Sequence, residues 1–172
     1  MRRKFIRIAS LAAVLAATSA GAMTVARELT LDETVRGADR IVHATVTNVR
    51  TGRDASGLAA TWVTFDVDKA VKGESGRRLT IKQFGNSDAS STTPIGRIPD
   101  LPMYSVGEEV VVFLRRESAR GFTSPVGLET GIYHVRTEHG RRIAGRGADR
   151  SGIDLDELLA DISDRVARQR VP

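Results

Sequence analysis

The chain has 172 residues, no cysteine and a formal net charge of +5. Without cysteine it can form no disulfide and carry no lipid on a thiol, so its stability rests on burying a core. Four of its 26 Lys and Arg residues, and none of its 21 Asp and Glu residues, fall within residues 1–22, so the remainder carries only +1. That balance removes the electrostatic footprint expected of a nucleic-acid partner.

Residues 1–22 read MRRKFIRIASLAAVLAATSAGA. Arg2, Arg3, Lys4 and Arg7 precede a short apolar stretch from Ile8 to Ala17, and Ala20-Gly21-Ala22 fits a small-residue cleavage site. An apolar run of about ten residues is half of the roughly 20 that a membrane span needs. The expectation is a secretory signal peptide over 1–22, cleaved before Met23, and a single domain over 23–172. It would work in the periplasm or the medium, with no membrane span after cleavage.

Thr30-Leu31-Asp32-Glu33 has the form of a capping box opening a short helix, with Leu31 and Val35 on one face and Gly37 at its end. IVHATVTNVR at 41–50 is rich in β-branched residues and predicts a strand. TGRDASGLAA at 51–60 reads as a turn region. TWVTFDVDKAV at 61–71 alternates, with Val63, Phe65 and Val67 on one face and Thr64, Asp66 and Asp68 on the other. After Lys72-Gly73-Glu74-Ser75-Gly76 the chain returns as RRLTIKQF, 77–84.

A long loop occupies 85–108 and runs into EVVVFL at 109–114, which is apolar on both faces and suits a central strand. Three shorter strands are expected at 122–126, 132–136 and 142–144, with Gly127, Gly131 and Gly140 near their ends. Over 154–168, Leu155, Leu158, Leu159, Ile162 and Val166 recur at helical spacing, with Asp154 and Glu157 placed to cap. The predicted fold is mainly β: a small, strongly bent antiparallel OB-like barrel with a short N-terminal helix and a C-terminal amphipathic helix.

The order of these segments carries a resemblance. ADRIV at 38–42, Trp62, T-F-x-V at 64–67 and Lys72-Gly73 come first. P-x-x-P-x-Y-x-x-G-E from Pro99, VVFL ending at Leu114, and PVG-x-x-x-G-x-Y-x-V at 125–135 follow. Together they resemble a group of exported bacterial proteins of uncharacterised function. The fold of that group is similar to the OB-type barrel of the netrin-like domain, which tissue inhibitors of metalloproteases share. Two segments depart from the group: Phe84-Gly85-Asn86 stands where it tends to have Gly-Gly, and Pro99-Asp100-Leu101-Pro102 where it tends to have P-G-x-P. Those inhibitors chelate zinc through an N-terminal cysteine, and this chain has none. The resemblance therefore implies a fold and, at most, inhibition by another route.

Catalytic patterns are sparse. The histidines are His43, His134 and His139; no two share helical zinc-ligand spacing, although a barrel brings distant strands together. Ser87, Ser90 and Ser91 lie near Asp88 with no nucleophile elbow around them. Asp66 and Asp68 fall about 7 Å apart on one strand face. That spacing suits a carboxylate pair or an ordinary solvated surface. DRSGIDLD at 149–156 lacks the oxygen alternation of a calcium loop, and no phosphate-binding glycine motif occurs. Trp62, Phe84 and Tyr133 offer stacking surfaces. Glu108 and Glu109 are expected to close the loop onto its own amides. No catalytic, cofactor or metal residue is singled out.

The long loop remains. Its prolines, Pro94, Pro99 and Pro102, restrict the backbone, and a stiff segment loses little entropy on binding. Ile98, Pro99, Leu101, Pro102, Met103 and Tyr104 are the expected partner-binding residues, unless the same side chains fold inward and plug the barrel. The leading expectation is a non-enzymatic exported module that recognises a protein partner. The alternatives are an inhibitor or accessory factor of an exported protease, and a hydrolase whose site is assembled across strands.

Overall fold

The computed structural model describes residues 29–90, 96–98, 100–147 and 152–169. The expected signal peptide and its cleavage site therefore lie outside the described residues, as do Ser91, Pro94 and Pro99. Helix α1 spans Leu31–Gly37 and opens with the expected box: Glu33 N donates to Thr30 Oγ1, and Thr30 N donates to Glu33 Oε2 at 2.9 Å. The helix ends at Gly37, but not through a left-handed glycine. Ala38 is the extended cap, and Gly37 is small because a Cβ there would meet Val126 Cγ1 at 3.0 Å.

Strands β1 (Arg40–Arg53) and β2 (Ala59–Lys72) form a hairpin longer than the sequence suggests. Half of the expected turn at 51–60 is strand, since Thr51, Gly52 and Arg53 pair with Thr61, Ala60 and Ala59. The turn itself is held by Asp54, whose Oδ1 accepts from the backbone amides of Ser56 and Leu58 and from the Ser56 hydroxyl. Gly and Ala make 51–60 look like a loop, yet cross-strand contacts, including Arg50 stacked 4.1 Å over Trp62, override weak local preference.

Strand β3 (Arg78–Phe84) pairs antiparallel with β2, and β4 (Glu109–Leu114) pairs antiparallel with β1. Strands β5 (Ile132–Glu138), β6 (Arg141–Gly145) and β7 (Ile153–Asp154) extend the sheet beyond β4 in antiparallel steps. The seven-stranded order is β3-β2-β1-β4-β5-β6-β7. Among the described residues no ladder joins the two ends, so the sheet is antiparallel and open. Register shifts at three points along β1 bend it where it serves both β2 and β4. The strand expected at 122–126 is an extended segment touching its neighbours by single bridges. Phe122 meets Lys82 in parallel, and Pro125 meets Leu114 antiparallel.

Two apolar layers follow from the alternation of side chains. On one face Ile41, Val111, Phe113 and Ala144 pack under α1 and helix α2 (Leu155–Gln169). The stripe Leu155, Leu158, Leu159, Ile162 and Val166 is buried there, as its spacing predicts. On the other face Val42, Ala44, Val46, Val63, Phe65, Ile81, Val110, Val112 and Ile132 form a second core inside the bend. Strand β4 feeds both layers, and Val110 to Leu114 are all buried. Lys72 Nζ donates to the Val35 carbonyl at 2.8 Å and to Gln169 Oε1 at 3.2 Å, tying the hairpin to both helices. Arg165 pairs with both Asp161 and Asp32, which fastens α2 to α1.

Candidate functional site

The alternation in β3 sends Leu79, Ile81 and Gln83 inward and Phe84 outward. Gln83 is polar and fully buried, so it must find partners. Its Nε2 donates to Ser87 Oγ at 2.7 Å and to the Pro102 carbonyl at 3.3 Å; its Oε1 accepts from the Tyr104 hydroxyl at 3.3 Å. Thr61 Oγ1 donates to the Gly85 carbonyl at 2.7 Å and accepts from Ser87 N at 2.9 Å. This network ties both ends of the long loop to the second core.

Tyr104 is 1% exposed and meets Phe65 edge-on, with centroids 5.8 Å apart. Burial pushes its phenol pKa far up, so the hydroxyl remains a hydrogen-bond donor. Pro102 is buried, Ile98, Leu101 and Met103 are half-buried, and Pro99 lies outside the described residues. The loop thus plugs the core with Tyr104 and Pro102 and leaves Leu101 at the surface layer. Glu108 closes the loop's end as expected, its Oε2 accepting from Ser105 N at 3.1 Å.

The two strand histidines do not meet. His43 pairs with Val111 and His134 with Val110, and adjacent β4 residues face opposite sides of the sheet. His43, 3% exposed, meets Glu109 Oε1 at 2.7 Å, and the same oxygen accepts from Arg142 at 3.0 Å. His134 holds Glu108 at Nδ1 (2.5 Å) and Glu129 at Nε2 (3.3 Å). Hydrogen bonding to Glu108, then to Glu129, raises its pKa to about 9, so it is an imidazolium at neutral pH. It pins the loop end and the 3₁₀ turn at Leu128–Gly131 to β5.

Ser87 is fully buried within the Gln83 network. Ser90 closes a turn on Asp88 Oδ1. Asp66 and Asp68 are exposed, with Asp68 3.9 Å from His43. Among the described residues no group of three or more His, Asp or Glu is arranged to hold a metal ion. Trp62 stacks under Arg50, and Tyr133 lies beneath Arg146 and beside Phe113. Register puts Trp62 on the same sheet face as Phe84, two residues along, since Trp62 lies opposite Lys82 and Ala60 opposite Phe84, whereas Tyr133 packs at Phe113.

An open cleft of about 310 Å³ lies where β3 and the 122–126 segment part company beyond the Lys82–Phe122 bridge. Phe84, Leu101, Phe122 and Leu128 form its apolar walls, Gln83, Thr123 and Ser124 its polar base, and Arg115 and Arg116 its rim. Phe84 is 46% exposed and meets Phe122 edge-on at 5.7 Å. Lys82 Nζ sits 4.1 Å over the Phe122 ring and 3.1 Å from Asp54, fixing that ring from behind. Leu128 holds φ at 59°, a left-handed backbone that costs a branched residue about 1–3 kcal/mol and that the surrounding packing must impose.

The Arg115 backbone is clamped on both sides. Its N–H donates to the Ser124 carbonyl, and its carbonyl accepts from Thr123 Oγ1 at 2.7 Å. Its exposed guanidinium makes no hydrogen bond or ion pair with a described residue, whereas Arg116 pairs with Asp39. Of the expected loop residues that are described, Leu101 alone reaches this cleft. Sequence reasoning missed Arg115, Arg116, Phe122 and Leu128. The available signals were an arginine doublet directly after the most buried strand, and an aromatic at the outward step of β3.

No protein-family model matches the chain, and no curated protein matches it either.

Proposed function

We propose that this chain is an exported, non-enzymatic binding module whose cleft recognises a protein partner in the cell envelope or the medium. One observation carries the reading: Phe84, nearly half exposed, stands over an apolar cleft beside an arginine rim. Interface centres are enriched in aromatics and arginine. The buried network at Gln83 and Tyr104 holds Leu101 at the cleft wall, so the surface is set before a partner arrives, which lowers the ordering cost. The test is retention of an envelope or medium protein by the intact chain, compared with Phe84→Ser and Leu101→Ser chains of unchanged stability. Retention by all three forms alike removes the cleft from the reading.

The netrin-like, OB-type barrel belongs to the same proposal. Its support is the pair of bridges by which the 122–126 segment touches β3 on one side and β4 on the other. Continued pairing along that segment would close β1, β2, β3 and β4 into a five-stranded barrel. Insertion of the pinned loop into an exported protease is the second reading, favoured by the way Pro102 and Tyr104 anchor it. Inhibition by the chain that Leu101→Ser abolishes would select this reading. The version of the hydrolase alternative that joins His43 and His134 has no support in the geometry, since the two face opposite sides of the sheet.

A further inference from the structure

We infer that the occupant of the cleft is an acidic, apolar peptide segment, in which one large apolar side chain enters between Phe84 and Phe122 and a neighbouring carboxylate meets Arg115. This rests on the proposal that the cleft binds a protein partner and adds the chemistry of what is bound.

Size limits the first half. A volume of about 310 Å³ is at the lower end of ligand pockets, which run from roughly 300 to 1,000 Å³. The cleft is also open along one side, where a pocket for a free small molecule encloses most of its ligand. Such a space suits one aromatic or branched side chain held by the peptide on either side of it. The wall offers ring edges and faces from Phe84 and Phe122, set at 72° to each other, so an apolar group meets both.

Charge decides the second half. Among the described residues lining the cleft none is acidic, and two are arginines. Arg116 has Asp39 as its partner at 3.2 Å. Arg115 has no such partner among the described residues, while its backbone is fixed by Thr123 and Ser124. Lys82 lies behind Phe122, already neutralised by Asp54, whose carboxyl is held down at about 2 by hydrogen bonds from Ser56 and then from Lys82. Arg115 is thus the cation left for a ligand, and a guanidinium offers a carboxylate two parallel hydrogen bonds.

The test uses the purified chain and labelled heptapeptides with a central Phe or Leu flanked by two Glu, two Gln or two Lys. Binding is read by fluorescence anisotropy at low and at high salt. The expected order is Glu above Gln above Lys, with about a five-fold step from Glu to Gln that shrinks as salt rises. Arg115→Gln should remove most of that step, and Phe84→Ser should weaken every peptide. Arg115→Gln is an exposed change, and an unchanged denaturation midpoint for each variant confirms that its fold is intact.

Equal binding of Glu- and Lys-flanked peptides, with loss in Phe84→Ser, overturns the charge inference and leaves the cleft as an apolar site. Decanoate that displaces the labelled peptides at lower concentration than the unlabelled peptides do overturns the peptide class in favour of a small amphiphile. Failure of every peptide sinks the inference as well. The retention experiment with Phe84→Ser then decides separately whether the cleft binds any partner.

Discussion

Removing Tyr104 tests whether the long loop is held by the core or merely lies on it. The side chain is 1% exposed, packs edge-on against Phe65 and donates to Gln83 Oε1. Tyr104→Ala removes a buried ring at a cost of about 3–5 kcal/mol and an aromatic pair worth about 0.5–1.5 kcal/mol more. Tyr104→Phe keeps the ring and leaves Gln83 Oε1 without its donor in a buried site, which costs about 1–3 kcal/mol. Urea denaturation followed by circular dichroism gives both numbers, provided the slope with denaturant stays constant. Both substitutions remove the donor to Gln83, so they should differ by the packing alone, about 3–5 kcal/mol. A cost below about 1 kcal/mol for Tyr104→Ala would refute the reasoning, since no buried ring of this size is lost so cheaply. It would also free the loop to recognise a partner through Tyr104 itself.

Other predictions follow from single contacts. Leu158 is buried between α2 and the sheet, so Leu158→Ala should cost about 2–5 kcal/mol in the same assay; no change would make α2 a free tail. His134 is raised from 6.5 to about 9 by Glu108 and Glu129, so its protonated form favours the folded state. That stabilisation is full below about pH 6.5 and is lost as pH rises through about 9. For a side chain one-third exposed it amounts to about 1–2 kcal/mol. The difference between the parent chain and His134→Gln should therefore shrink between pH 6.5 and 9.5, and a constant difference would contradict the assignment. Gly85 holds φ at 85°, and a Cβ there would lie 2.6 Å from the Gly96 carbonyl. Gly85→Ala should destabilise by more than about 1 kcal/mol, and a neutral result would mean that the loop backbone relaxes.

Composition and periodicity determine the elements of this protein. The capping box at Thr30 and Glu33 is local in sequence and forms as read. The α2 stripe follows from helical spacing, and the burial of β4 follows from an apolar run with no polar face. Alternation in β3 already places Gln83 inward and Phe84 outward, because a strand has only two faces. The bends in β1 were not legible, since they arise from pairing with two partners at once. Nor was the extension of the strands over 51–53 and 59–60, which narrows the turn to 54–58 and depends on contacts across the hairpin. The opposite facing of His43 and His134 depends on register with β4, which a one-residue slip would reverse. The fate of the long loop was undecidable along the chain: Leu101 and Tyr104 both lie within two residues of Pro102, yet Tyr104 fills the core and Leu101 walls a cleft. That division was made by tertiary structure: Tyr104 packs edge-on against Phe65 and donates to the buried amide of Gln83, 21 residues earlier, and both contacts come from distant strands. The cleft likewise exists only where β3 and the 122–126 segment separate, which brings Phe84, Leu101, Arg115 and Phe122 together from distant parts of the chain.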